Sequence, residues 1–188
     1  NLGIETLFYC SCTFIYHSGT HPQKQVYMGL YGAVTKDSAV GEAYPAVGTS
    51  PAVAYDNEVV LFYSDIDPVL NKSIAKLYDP ANPDYVDVDA YTTSIHHQPT
   101  WFLINGEPYV DGVTADIIAG AAGTKTLLRL LSTAGETHVP VLQGLRMTIH
   151  AEDGLQYNYQ DGANVEAAPR QQYSAMLPPL KTKDAIIT

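Results

Sequence analysis

The sequence predicts an all-β protein, a sandwich or barrel built from short strands. Residues that favour strands, including 14 Tyr, come in short runs. Turn dipeptides such as Asn105-Gly106, Asp153-Gly154 and Asp161-Gly162 separate these runs. Hydrophobic residues make up 46% of the 188 residues and charged residues 16%, which is typical of a globular chain with a packed core. Regular short strands with this punctuation favour a sandwich or barrel.

The positions of these runs predict where the individual strands lie. The predicted strands are 13–17, 26–35, 58–65, 100–104, 125–132, 138–142, 146–151 and 172–177. Asn105-Gly106 follows one apolar run and precedes another, which predicts a tight hairpin. Apolar residues at helical spacing predict a short helix over 68–77, with apolar positions at Val69, Leu70, Ile74 and Leu77.

Composition divides the chain into three parts. Residues 37–53 are rich in Ala, Gly, Pro and Ser, which is typical of a linker. Residues 1–36 hold two or three strands, too few for a sandwich of their own. We therefore expect 1–36 to be the C-terminal strands of a first domain, and 54–188 to form a complete second domain.

The charge balance argues against two classes of partner. The chain has 10 Lys and Arg against 20 Asp and Glu, a net charge of −10. Nucleic-acid binding needs clustered basic residues, and only Lys181 and Lys183 lie close together in sequence. No apolar run approaches the roughly 20 residues of a membrane span. We therefore expect neither a nucleic-acid partner nor a membrane-spanning segment.

The two cysteines lie two positions apart, at Cys10 and Cys12. On a strand they would face the same side, and such neighbours rarely reach disulfide geometry. Zinc sites need about four ligands, and the sequence has no second Cys pair. We interpret both as small buried apolar residues, so they do not indicate a redox compartment.

Two of the six histidines have a sequence context that suits a metal. His17 and His21 flank the turn Ser18-Gly19-Thr20 directly after a predicted strand. Imidazole is a ligand for copper, zinc and iron, and a loop at a strand end can orient it. They are the candidate metal ligands.

The other histidines have structural interpretations. His96 and His97 are adjacent, so on a strand they would point to opposite faces and could not easily share a metal. We expect them to lie in a polar loop before the strand at 100–104. His138 is expected to be structural, satisfied by hydrogen bonds. His150 is expected on a strand face.

Asp65 and Asp67 are expected in solvated loops, since the spacing of a calcium-binding EF-hand is absent. Nucleotide-binding glycine loops and the Gly-x-Ser-x-Gly motif of hydrolases are absent as well.

Several stretches carry a resemblance to one known family. The stretch YHSGTHPQKQVYMGLYGAV resembles the end of the first cupredoxin domain of multicopper oxidases. The stretches AYDNEVVLFYSDID, WFLINGEPY, GTKTLLRLLSTAGETHVPVLQGLRMTIHAEDG and QQYSAMLPPLKTKDAIIT are similar to successive parts of that family's second domain. The resemblance covers about 14–188 and implies a cupredoxin-like Greek-key β-sandwich, antiparallel in the second domain. It also implies that Phe102, Leu103, Leu128, Leu130 and Met147 belong to the core.

The same resemblance implies copper as the cofactor of the full-length enzyme. In this family a His-x-His pair in the first-domain loop supplies ligands to a trinuclear copper cluster. His17 matches the first member, Gly19 stands at the second, and His21 follows two residues later. A bacterial group of the family has the same His-Ser-Gly-Thr-His form, so His17 and His21 are implied as copper ligands. Gln25 and Gly29 would shape the loop without reacting, and so would Gly32 in the following strand.

The remaining copper ligands are expected outside this sequence, because the chain contains no His-Cys-His run. A type 1 copper set built from Cys12, His17 and Met28 has unfavourable spacing. The chain is therefore expected to be a segment of a multicopper oxidase and not catalytic alone. Its expected partners are the remaining cupredoxin domains, in the same polypeptide or in neighbouring chains. An extracytoplasmic location, periplasmic or secreted, follows from the resemblance only.

Two alternatives remain open at this stage. A copper-free cupredoxin module with a structural or assembly role would expose strand edges over 13–35, which recruit partner strands, including those of a homo-oligomer. A nitrite-reductase-like copper trimer is weaker, because a His-Cys pair is missing.

Overall fold

Strands make up most of the regular structure, as predicted. The computed structural model describes residues 11–75 and 94–188, the backbone of 76–78, and Ala81. Its strands are β1 Cys12–His17, β2 Tyr31–Lys36, β3 Glu42–Tyr44, β4 Val53–Ala54, β5 Asn57–Ile66, β6 Trp101–Ile104, β7 Glu107–Pro108, β8 Thr126–Ser132, β9 Met147–Glu152, β10 Leu155–Gln156, β11 Asn158–Asp161, β12 Asn164–Ala167, β13 Arg170–Gln172 and β14 Thr182–Ile187. Its helices are the one-turn α1 Pro22–Gln25, α2 Pro68–Tyr78 and a 3-10 turn, Ser94–His96.

The main sheet has the strand order β10-β9-β14-β8-β5-β6-β7, and β13 also pairs with β9. Neighbours are antiparallel except β5 and β8, which run parallel from Asn57↔Thr126 to Tyr63↔Ser132. We expected all strands of the second domain to be antiparallel, and this expectation is wrong for the β5–β8 pair. β6 and β7 form the predicted hairpin, and Asn105 and Gly106 both have positive φ (55° and 83°), the conformation of a type I′ turn.

Strand β8 is buried along its whole length, which explains its nearly continuous apolar sequence TLLRLLS. On one face Leu128 and Leu130 join a core cluster with Met147 and Ile149. On the other face Leu127 joins a second cluster, which also contains Tyr44 of β3. The segment 37–53, expected to be a linker, thus contains β3 and the first residue of β4 and contributes to the core.

The β1–β2 hairpin lies against β8 and β14. It pairs in register from Cys12↔Lys36 to His17↔Tyr31. The buried Thr13 fixes it, because the Thr182 hydroxyl donates to the Thr13 carbonyl oxygen at 2.9 Å. Cys12 is fully buried, as predicted, and Cys10 lies outside the described residues.

The predicted helix is confirmed as α2. Pro68 occupies its first position, where a missing N–H costs nothing, and Asp67 precedes it as N-cap. Leu70 and Ile74 are buried, whereas Val69 is 54% exposed. Among the described residues, no helix has the length and apolar character needed to cross a membrane.

Three strand predictions are wrong in whole or in part. Residues 26–30 form turns that close the loop before β2, although their sequence is apolar. Residues 138–142 and 173–177 pair through isolated bridges, His138↔Leu177 and Val141↔Ser174, and so do not form regular strands.

The prediction that Phe102 belongs to the core is also wrong, because 52% of its surface is exposed. Leu103, Leu128, Leu130 and Met147 are buried as predicted.

Candidate functional site

His17 is the last residue of β1 and pairs with Tyr31 across the hairpin. Its ring is exposed, and Nδ1 lies 2.9 Å from the carbonyl oxygen of Ser18. That contact favours a proton on Nδ1, which donates to the carbonyl and leaves Nε2 with a free lone pair. Metal-binding histidines are commonly held in this way by a carbonyl on the other nitrogen.

The loop after His17 is closed by its own polar groups. The Ser18 hydroxyl donates to Oε1 of Gln25, and the Ser18 amide donates to the Leu30 carbonyl at 3.0 Å. The Leu30 amide in turn donates to the Gln25 carbonyl at 3.0 Å. Gln25 therefore shapes the loop, the role that the family resemblance implied for it.

His21 precedes helix α1 in a left-handed conformation, with φ 52° and ψ 58°. Its side chain makes no capping hydrogen bond to the helix, and the residue is exposed. The ring is thus not committed to a structural role in α1. Both candidate ligands lie on one surface loop, but the described residues contain no group of three or more His, Cys, Asp or Glu side chains placed to hold a metal.

Glycines control the space around this loop. A Cβ on Gly32 of β2 would collide with the ring of Tyr16 on β1, so a larger residue there would push that exposed ring aside. Gly29 has a φ of 88°, which favours glycine. Gly19 is different, because a Cβ built there meets nothing within 4 Å.

Sequence reasoning missed a buried acidic cluster near the hairpin. Asp65 and Asp67, expected in solvated loops, are only 5% and 2% exposed. Nε2 of His97 lies 3.1 Å from Asp65 Oδ1, and the Tyr27 ring stacks on the imidazole at 4.3 Å between centroids. The backbone amide of Gln98 donates to Asp67, and that of Glu136 donates to Asp65. His97 does lie in a loop before β6, as predicted, but its side chain is only 7% exposed and contacts Asp65 instead of water.

Burial and hydrogen bonding act in opposite directions on Asp67. Desolvation raises the pKa of its carboxyl, but donors on the backbone of Gln98, Leu70 and Val69 outweigh it and leave the pKa below its usual range. The charged form of Asp67 is thus the stable one in the folded chain.

A second buried network surrounds Arg129, which is 1% exposed. Its guanidinium donates to Glu58 and Asp37 and to the Thr13 hydroxyl, the last at 2.7 Å. Asp184 lies 3.6 Å from the same guanidinium and accepts from Thr13 at 2.8 Å. The network joins β1, the segment after β2, β5, β8 and β14.

The charges of this network do not balance, since three carboxylates face one guanidinium. Burial raises the pKa of Asp184, and the hydrogen bond from Tyr44 and the charge of Arg129 offset only part of the rise. Burial alone would lower the pKa of Arg129, but Asp184, Glu58 and Asp37 outweigh it and raise the pKa. No motif marks this network, because its members are spread along the sequence from Thr13 to Asp184.

Solved structures of other proteins share this architecture. The chain superimposes on Fet3p, described as a multicopper oxidase that functions in iron import, with a TM-score of 0.59 and 18% identity over 95% of this chain and 27% of that chain. It superimposes on a blue copper oxidase from Nitrosomonas europaea with a TM-score of 0.58 and 15% identity, over 94% of this chain and 45% of that one. A copper nitrite reductase from the same organism gives 0.57 and 16%, over 94% and 52%.

The chain has a cupredoxin-like fold. The all-β cupredoxin-like sandwich predicted from the resemblance is therefore confirmed. The chain spans between 27% and 45% of the length of these two oxidases. No protein-family model matches the sequence, and no curated protein matches it.

Proposed function

We propose that this chain is a segment of a multicopper oxidase, a protein that couples one-electron oxidation of a substrate to reduction of dioxygen. The observation that carries the proposal is the geometry of His17. It lies exposed at a strand end of a cupredoxin-like fold, with Nδ1 held by a carbonyl and Nε2 left for a ligand.

The residues present fit a shared copper site better than a complete one. His17 would hold copper through Nε2, and His21 would contribute a second imidazole from the same loop. Since no third ligand stands beside them in the described residues, further ligands would come from other domains. Copper, when bound, supplies the one-electron redox chemistry.

The chain's own residues would act by positioning. The Ser18–Gln25 contact closes the loop, and the Thr13 contacts hold β1 against the second domain. The rigid hairpin would thus present the two imidazoles to the rest of the site. The partners would be the remaining cupredoxin domains, and the location would be extracytoplasmic, as for the family in general.

The flanking sequence tests this proposal directly. Sequencing the transcript on both sides of the chain is expected to show a His-x-His-Gly run upstream and a His-Cys-His run downstream. Oxygen uptake by the whole polypeptide with a phenol or a reduced metal ion as electron donor would then be measured. A complete transcript without either run would overturn the oxidase proposal.

A second candidate function has its own supporting observation. The β1–β2 hairpin forms a sheet of two strands only, with no further strand paired to it in the described part of the chain. A copper-free module could use these edges to complete a sheet with another chain. This candidate predicts a stable oligomer that binds no copper, whereas the oxidase segment requires copper.

A further inference from the structure

A cleft of about 660 Å³ opens beside the β6–β7 hairpin and shares no lining residue with the His17–His21 loop. Its volume falls within the roughly 300–1,000 Å³ typical of small-molecule sites. Its lining includes the rings of Tyr63, Phe102 and His138 and the segment 114–117. Phe102 is 52% exposed, so a ligand in the cleft would cover apolar surface that is now in water.

The walls are fixed by hydrogen bonds that need no ligand. The Thr114 hydroxyl accepts from the Val110 amide at 2.7 Å and donates to the Pro108 carbonyl at 3.0 Å. His138, another lining residue, exchanges two backbone hydrogen bonds with Leu177, at 3.1 and 2.8 Å. The cleft is therefore largely preformed, which reduces the entropy that a ligand must lose on binding.

One buried polar atom in the cleft lacks a partner. Nε2 of His138 is shielded from solvent and has no hydrogen bond, although the ring packs against Tyr63 and Phe102 at 5.4 and 6.0 Å between centroids. An unsatisfied buried polar atom of this kind is costly, and a ligand that pairs with it removes that cost. The expectation that His138 is satisfied by hydrogen bonds is thus wrong for its side chain.

The charges around the cleft have one sign. Glu107 and Asp116 line it, and none of its lining residues, all within the described part of the chain, is Lys or Arg. The chain as a whole carries a net charge of −10. Exposed carboxylates beside aromatic rings favour a cation, through Coulomb attraction and cation–π contact.

We propose that this cleft binds a small aromatic molecule that bears an ammonium group. The ring would lie against Phe102 and Tyr63, and the ammonium would face Glu107 and Asp116. An N–H of the ligand would donate to Nε2 of His138 after a turn of the imidazole toward the cleft, because that atom is shielded from solvent in the present orientation.

The test uses three phenyl probes of nearly equal size and different charge. These are 2-phenylethylamine (cationic), 2-phenylethanol (neutral) and 3-phenylpropionate (anionic), each titrated into the 188-residue chain. NMR shift changes measure the binding and locate the site. We expect affinity in the order cationic, neutral, anionic, and a weaker cationic affinity at higher salt.

Variants identify the residues that bind. His138→Phe keeps a ring in place and should weaken 2-phenylethylamine about tenfold, since one hydrogen bond is lost. The pair Glu107→Gln and Asp116→Asn should abolish the preference for the cation while leaving the neutral probe unchanged. Matched controls are Asp161→Asn and Tyr159→Ala, exposed residues outside the cleft that should change nothing. Thermal melting checks that each variant is folded.

Three outcomes would overturn the proposal. One is binding of all three probes with equal affinity, and another is binding that survives the cleft variants. The third is the absence of binding by any probe; self-association of the chain seen by sedimentation would then assign the face to a second copy.

Discussion

Gly19 lies between the two candidate copper ligands, at a position where a side chain would have room. Replacing it with His places a third imidazole on the loop of His17 and His21. Because each added imidazole ligand strengthens copper binding, we expect Gly19→His to raise the affinity for Cu(II) at least about tenfold in a calorimetric titration. Gly19→Asn adds a polar side chain without imidazole and serves as the control. Equal affinity in all three proteins would show that this loop is not directed at a metal.

His150 on β9 makes the stability of the chain depend on pH. Burial lowers the pKa of its imidazole, so the folded chain holds the neutral form, while the unfolded chain takes up a proton below about pH 6.5. The corresponding stability is present above that pH and is lost as the pH falls.

Chemical unfolding at pH 7 and at pH 5 checks this dependence. Between pH 7 and pH 5, His150→Gln should lose less unfolding free energy than the wild type. The difference between the two proteins should be at most about 1.4 kcal/mol per pH unit. The exposed His96, replaced by Gln, should leave the wild-type slope unchanged. A slope equal to the wild type in both variants would exclude His150 as the source.

At the scale of elements, Asp67 joins the first turn of helix α2 to the segment just before β6. Its Oδ1 accepts from the amides of Val69 and Leu70 at 2.9 and 3.1 Å, and its Oδ2 accepts from the Gln98 amide at 3.0 Å. Asp67→Ala should cost about 1–2 kcal/mol of unfolding free energy, because it leaves these amides without partners. Asp67→Asn should cost less, since Asn is also a good N-cap.

Urea unfolding measures the cost, with the exposed Asp161→Ala as a control expected to change stability by under about 0.5 kcal/mol. A cost no larger for Asp67→Ala than for the control would contradict the capping role.

The elements differ in how far the sequence could predict them. β5, β8 and α2 carry long apolar patterns, and the structure has them close to the predicted bounds. Residues 26–30 have a similar apolar composition but form turns, because the loop bonds of Gln25 and Leu30 decide their path. Residues 138–142 lack a full ladder partner, which only the tertiary arrangement reveals.

The candidate site was predictable to a similar extent. A strand followed by a loop with two histidines is visible in the sequence, and the structure places both on one exposed loop. The role of Gln25 in shaping the loop was implied by the family resemblance, whereas the carbonyl at Nδ1 of His17 depends on backbone geometry that no motif encodes. The burial of Asp65 depends on contacts with His97 and Glu136, which lie more than 30 residues away in sequence.

For the whole molecule, Arg129 is the residue that joins most segments. Arg129→Leu leaves the buried Asp184 facing Glu58 and Asp37 without a cation, so we expect a loss of about 3–5 kcal/mol in unfolding free energy. Arg129→Lys keeps the charge but not the planar fork and should lose less. Arg146→Leu, at an exposed position, is the matched control. Similar stability of the Arg129→Leu and Arg146→Leu variants, measured by urea unfolding, would refute the role of this network.

The central claim for the whole molecule is that the chain helps to hold copper through His17. The measurement that tests it most directly is the copper content, by mass spectrometry, of the protein purified with its associated chains. The account predicts about one copper or more per chain in the wild type and in the His96→Ala control, and loss of copper in His17→Ala. Undiminished copper in His17→Ala, or no copper in the wild type after reconstitution, would contradict the account.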